Sequence, residues 1–215
     1  MNIVLLGAPG SGKGTQSLIL CKKFNLYCLM MGALARIEAS MPTPLGAKIS
    51  EILNSGSLLN DEMFVILLKK GLSKNINEFK GILFDGVVRT LNEAVILDES
   101  MKEMGLGSID YVIEISVSIT DVQNRILNRL ICKNCNASYS LRNYSKDFCE
   151  LCKENLVKRS DDNLKALQSR IDGYFDMRQK IVDYYSGNGI QINIIDGCGN
   201  VEDVSANILS VLQNT

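Results

Sequence analysis

The chain has 215 residues, 46% of them hydrophobic, and its 23 lysines and arginines nearly balance 24 aspartates and glutamates for a formal charge of -1. That is enough for one domain with a proper core, and it lacks the basic footprint of a nucleic-acid binder. There is no histidine, which excludes a histidine general base, a phosphohistidine and any imidazole-ligated zinc. No apolar run approaches the roughly 18 residues of a membrane span, and the opening run is too short for a signal peptide, so a soluble cytoplasmic protein with no membrane partner is expected. Seven cysteines in a reducing compartment point to a metal site before disulfides.

Taken in order, Ile3 to Leu6 read as a buried strand that breaks into Gly7-Ala-Pro-Gly10-Ser11-Gly12-Lys13-Gly14-Thr15. Glycines free the backbone to wrap amide N–H groups around phosphate oxygens, and Lys13 adds a full charge. A helix over 13–24 would aim its N-terminal dipole at the same anion, with Leu18, Ile19, Cys21 and, beyond, Cys28 continuing its apolar recurrence. The pattern is GxxxxGK, with Gly14 where the usual motif has Ser or Thr and the hydroxyl one place later at Thr15. The alternative is a glycine-rich strand-to-helix turn with an incidental lysine.

Helices are predicted from Met30, from Pro44 behind the cap Thr43, and from Asp61 behind the cap Asn60. Residues 81–86 read as a second buried strand ending in Asp85 and Gly86. An aspartate leaving a strand beside a phosphate loop suits a magnesium-linked carboxylate, and a plain turn aspartate is the alternative. Arg89 precedes a helix over 91–104, and 111–115 form a third strand. A helix over 121–130 would stack Arg125 and Arg129, four apart, on one face, where they repel unless an anion joins them.

Cys132-x-x-Cys135 and Cys149-x-x-Cys152 form two knuckles able to complete a thiolate tetrahedron, and the segment between them carries little apolar mass, a deficit that a structural zinc would offset. Unrelated cysteines or a redox pair are the alternatives. A helix start with acidic residues is predicted at Asp161, Asp162 and Asn163, running to about Gly187. A last strand over 190–195 and a terminal helix capped by Asn200 complete the chain. Strands alternating with helices indicate an α/β protein with a parallel sheet.

These residues together resemble the adenylate kinases over nearly the whole chain. The resemblance rests on Gly7 to Gln16, Gly32 with Arg36, Asp85-Gly86-x-x-Arg89-Thr90, Arg125 with Arg129, Arg159-x-Asp161-Asp162, Arg170, and Asp196-Gly197. The four cysteines resemble the zinc-bearing lid of bacterial-type members. The resemblance implies a P-loop NTPase fold with a five-stranded parallel sheet, a core of 1–29, 61–124 and 161–215, a nucleoside monophosphate (NMP) flap over 30–60 and a zinc-ribbon lid over 125–160. It implies magnesium-dependent transfer of a phosphoryl group from ATP to AMP by a monomer, with flap and lid closing to exclude water.

By the same resemblance Gly10, Ser11, Gly12, Lys13, Gly14, Thr15, Arg125 and Arg129 would bind ATP, and Asp85 would hold magnesium through its water shell. Met31, Arg36, Leu58, Gly86, Arg89 and Glu93 would bind AMP, and Arg159 and Arg170 would close on the transferring group. Cys132, Cys135, Cys149 and Cys152 would hold a structural zinc. The departures fall at the acceptor side: Met31-Gly32-Ala33 replaces Thr-Gly-Asp, Val87-Val88 replaces Phe-Pro, and Glu93 stands where a glutamine reads the adenine edge. Ionised glutamate offers only acceptors. Two rivals therefore stand beside AMP phosphorylation, a kinase for another nucleoside monophosphate and a weakly active ATP-binding protein.

Overall fold

The computed structural model describes residues 1–213 except 74, 75, 143, 160, 161 and 163, with 164 and 165 as backbone alone. Five short strands, β1 (Ile3–Leu6), β2 (Tyr27–Met30), β3 (Ile82–Asp85), β4 (Tyr111–Ser116) and β8 (Ile192–Asp196), form one sheet in the order β2-β3-β1-β4-β8. Every pairing in it is parallel. Side chains alternate faces along a strand, and β1 shows the consequence. Val4 and Leu6 enter one buried apolar cluster, Ile3 and Leu5 the other.

Eight helices are described: α1 (Lys13–Phe24), α2 (Met31–Ala39), α3 (Pro44–Ser55), α4 (Asp61–Leu72), α5 (Leu91–Glu103), α6 (Ile119–Leu127), α7 (Leu164–Gly187) and α8 (Val201–Gln213). Predicted caps are in place where the chemistry is local. Thr43 accepts from the Gly46 amide at 3.0 Å, Asn60 from Met63 at 2.9 Å and Asn200 from Asp203 at 2.8 Å.

The sequence reading missed β2. Helix α1 ends where Asn25 takes a left-handed conformation with φ 53°, and Cys28 lies on the strand that follows instead of on the helix. β2 has no alternating pattern, and its pairing to β3 decides its state.

The helix expected over 121–130 is also corrected. It spans Ile119–Leu127, and Arg129 opens a strand, β5 (Arg129–Cys132). β5 pairs antiparallel with β6 (Ser138–Ser140) and β7 (Leu156–Val157) in a small second sheet. Arg125 and Arg129 therefore do not share a helix face, because antiparallel pairing of 129–131 with 138–140 overrides the helical spacing. Of the acidic helix start predicted at Asp161, Asp162 and Asn163, Asp162 precedes the helix, which begins at Leu164, and Asp161 and Asn163 lie outside the described residues.

Candidate active site

The glycine loop leaves the C-terminal end of central strand β1, the edge at which open parallel sheets bind ligands. Gly12, with φ 106°, sits at the N-cap of α1 and turns the loop into the helix. Gly10, with φ 79°, passes so close to Ile126 of α6 that a Cβ there would stand 2.8 Å from Cγ1. A side chain at position 10 would force the loop away from α6. The lysine ammonium folds onto this loop, donating to the Gly7 and Ala8 carbonyls at 2.6 and 2.9 Å.

The loop forms the floor of a cleft of about 1240 Å³. Lys13 and all six predicted arginines, Arg36, Arg89, Arg125, Arg129, Arg159 and Arg170, line it, as do Gly10 to Thr15, Asp85, Gly86 and Leu58. Two predicted residues lie elsewhere. Met31, the first residue of α2, is buried in the apolar cluster on one face of the sheet, while its neighbour Met30 reaches the cleft wall. Glu93 is buried at the start of α5, in a capping box with Thr90.

The arginines come from different elements. The Arg89 Nε donates to the Gly86 carbonyl at 3.1 Å, so the turn leaving β3 aims it. Arg36 on α2 approaches Gly32 with its guanidinium, and Arg89 approaches the same glycine. The Arg125 Nη2 donates to the Gly197 carbonyl at 2.6 Å and its Nη1 to the Ser11 carbonyl at 3.2 Å, joining α6, the loop after β8 and the phosphate loop. Arg129 makes a two-pronged bond to Asp162 at 2.9 and 2.5 Å, and the Arg159 Nε stands 3.9 Å from the same carboxylate. On α7, the Arg170 Nη2 donates to the Leu53 carbonyl in the last turn of α3 at 3.0 Å.

Burial shifts the groups in this cleft, and the neighbouring charges modify the shifts. Burial lowers the Lys13 ammonium to a pKa of about 8, opposed by Asp85 and assisted by Arg89 and Arg129. Burial raises the Asp85 carboxyl, with Lys13 and the Ser17 hydroxyl holding it down. The Arg89 guanidinium is lowered by burial, and Glu93 is the largest opposing influence. Such a site favours an anion with several negative charges.

Other residues support the cleft. Asp162, read in the sequence as part of an acidic helix start and of the family pattern around Arg159, organises two arginines. Glu114 on β4 accepts two bonds from Arg178, both at 2.6 Å, and one from the Tyr174 hydroxyl at 2.5 Å, fastening α7 to the sheet one turn beyond Arg170. Ser138, Tyr139 and Ser140 of β6 face the cleft, and nothing in their spacing signals it.

The four predicted cysteines come together. Their sulfurs lie within 4.8 Å of one another, with neighbouring pairs at 3.3, 3.5 and 3.7 Å. A tetrahedron with about 2.3 Å metal–sulfur bonds has edges of about 3.8 Å, so the donor set fits one tetrahedral ion. The two knuckles share a backbone turn. Asn136 and Lys153, each directly after the second cysteine of its pair, adopt left-handed conformations with φ 59° and 64°. Their amides donate to the Cys132 and Cys149 carbonyls at 3.0 and 2.8 Å. The Tyr139 hydroxyl lies 3.3 Å from the Cys149 sulfur and accepts from the Glu150 amide at 3.0 Å, supporting that ligand from outside.

The family model described as Adenylate kinase matches residues 5–190. The chain belongs to the adenylate kinase family. It is 38% identical to the adenylate kinase of Mesoplasma florum over 99% of this chain and 100% of the relative. Identity to the adenylate kinase of Carboxydothermus hydrogenoformans is 35% over 99% and 100%, and to that of Ruminiclostridium cellulolyticum 33% over 99% of both chains. Adenylate kinases are nucleotide-binding phosphotransferases, so this chain is of that enzyme class, and its parallel sheet and four-cysteine cluster match the resemblance stated above. Among the described residues no helix is long and apolar enough to cross a membrane.

Proposed function

We propose that this protein transfers the terminal phosphoryl group of ATP to AMP, reversibly, giving two ADP. The observation that carries the reading is the convergence of one lysine and six arginines from seven separate places in the chain on a single cleft. Phosphoryl transfer needs positioning and charge stabilisation more than covalent help, which suits a protein with no histidine. The donor phosphates would lie on the amides of Gly10 to Thr15 and on Lys13, with Arg125 beside the base and Arg129 on the phosphates. Arg36 and Arg89 would take the acceptor phosphate, with Leu58 and Gly86 on the wall of its pocket. Arg159 and Arg170 would close on the transferring group, and each planar guanidinium can take two oxygens at once.

Magnesium would arrive with ATP and neutralise charge on its phosphates. Asp85, a carboxylate that lines the cleft and interacts electrostatically with Lys13, would hold its water shell. Zinc on the four cysteines would stiffen the small sheet and stay outside the chemistry, since four thiolates leave no open position. The helices of 30–60 would act as the acceptor flap and 125–160 as the lid, closing to deny water the phosphoryl group. The working form is taken as a cytoplasmic monomer.

The test is a coupled assay with MgATP and AMP, GMP, CMP or UMP. ADP formation fastest with AMP supports the reading. Preference for another base would make the protein a different nucleoside monophosphate kinase. ATP binding without transfer to any of the four would make it an ATP-binding protein.

A further inference from the structure

The capping box at the head of α5 does something beyond ending a helix. The Thr90 hydroxyl accepts from the Glu93 amide at 3.1 Å, and Glu93 Oε2 reaches back to accept from the Thr90 amide at 2.9 Å. The same oxygen accepts a further bond, at 2.7 Å, from the Arg89 amide. An oxygen with two backbone N–H donors has little capacity left for a third partner. Glu93 is 4% exposed and is not on the cleft wall, whereas Arg89, Val88 and Gly86 are.

Arg89 is thus fixed at both ends. Glu93 holds its backbone amide, and the Gly86 carbonyl holds its Nε. The Glu93 charge also opposes the fields of Arg159 and Arg170, which act against a third guanidinium nearby. With Oε2 committed to two backbone amides and the side chain buried behind the cleft wall, the carboxylate is turned toward the backbone of 89 and 90 and away from a base in the cleft.

We infer that Glu93 is a positioning residue for the acceptor phosphate, acting through Arg89, and does not read the acceptor base. The inference rests on the phosphotransferase reading above. It places the effect of this residue on the part common to all nucleoside monophosphates, the 5'-phosphate.

Two measurements test it. In Glu93→Gln, whose amide oxygen still accepts the backbone N–H groups, KM for AMP, GMP, CMP and UMP should move by one common factor, agreeing within about threefold, with their ranking kept. A change confined to AMP, tenfold or more relative to the others, would show a base reader and overturn the inference. In Glu93→Ala, KM for every acceptor and the inhibition constant of ribose 5-phosphate, an acceptor without a base, should rise at least about tenfold, while KM for ATP stays within about threefold, as expected for loss of a preorganised contact.

Unchanged ribose 5-phosphate inhibition would also overturn the inference. If Glu93→Ala does not fold, Glu93→Asp, too short to reach both amides, takes its place with the same expected rise. Absence of transfer by the unmodified protein with any acceptor is a different result, which counts against the proposed reaction and leaves ribose 5-phosphate binding to report on Glu93.

Discussion

Lys13 stands at the end of a sheet whose two faces are covered by large apolar clusters, one centred on Val4, Phe64 and Phe84, the other on Ile3, Leu20 and Ile113. Arg129 opens a strand of a sheet whose buried apolar cluster is Cys132, Ala137 and Cys149, with Leu18 of α1 and a few partly buried neighbours against it. Both side chains reach the same cleft. The first is positioned by ordinary hydrophobic burial, so its geometry survives without any ligand. The second has little apolar support of its own, since two of the three buried members of that cluster are thiols, so its order would rest on an ion held by the four cysteines.

The sharpest way to test the first half of that contrast is Lys13→Met. Methionine keeps about the same length but cannot donate to the Gly7 and Ala8 carbonyls that the ammonium now uses. Turnover should fall roughly 100- to 1,000-fold, the scale for losing one preorganised charge. The melting temperature should not fall, because a partly desolvated cation has been removed. Near-normal turnover in the coupled assay would remove the phosphate cradle from the account.

The second half is tested by Cys149→Ser. Metal analysis should drop from about one zinc per chain to none, because a hydroxyl is a poor replacement for the fourth thiolate. Hydrogen exchange should speed up across 129–157 while the amides of β1 and β4 stay protected. Turnover should fall roughly 10- to 100-fold through misplacement of Arg129, three residues from Cys132 in the same strand. Loss of protection in both sheets together would mean that the two regions are one cooperative unit.

A smaller effect is expected where the large sheet itself relies on charge. Glu114 is 3% exposed and its partner Arg178 29%. Glu114→Gln keeps the shape but leaves Arg178 without its counter-charge. Because Arg178 can recover some hydration, the loss should be about 2 kcal/mol, below that for a fully buried pair. That corresponds to a melting temperature lower by about 4–8 °C. A denaturant midpoint unchanged from the parent would show that apolar packing alone fastens α7 to β4.

The same contrast explains what could be read from the amino acids. Where structure is local, the residues declare it. Ile3 to Gly12 spell strand, loop and helix start, and Thr43, Asn60 and Asn200 cap as their side-chain chemistry requires. Where partners distant in the chain decide, they do not. Tyr27–Met30 is a strand because β3 lies beside it, and Arg129 left its expected helix because Ser140 is opposite. Glu93 shows a subtler limit. Its place in the family pattern suggests a base contact, while its spacing from Thr90 also fits a capping box, and in the folded chain its Oε2 faces the amides of Arg89 and Thr90.

The finest distinction between the regions lies in pH. Lys13, with a pKa near 8 before any nucleotide binds, should lose its charge as pH rises through 8. ATP phosphates favour the ammonium, so the bound form titrates higher. Affinity for ATP should therefore fall about tenfold per pH unit above 8 until the pKa of the bound form is reached, with kcat changing less over the same range. Folding stability runs the other way. The unfolded lysine titrates near 10.5, so between about 8 and 10.5 the unfolded chain binds more protons. The contribution of Lys13 to stability therefore increases with pH across that window. Titration calorimetry with ATP from pH 7 to 10 reads the first effect, and denaturation of the protein against Lys13→Met reads the second. ATP affinity that stays flat to pH 9.5 would mean that the ammonium is better hydrated than its enclosure by the glycine loop implies.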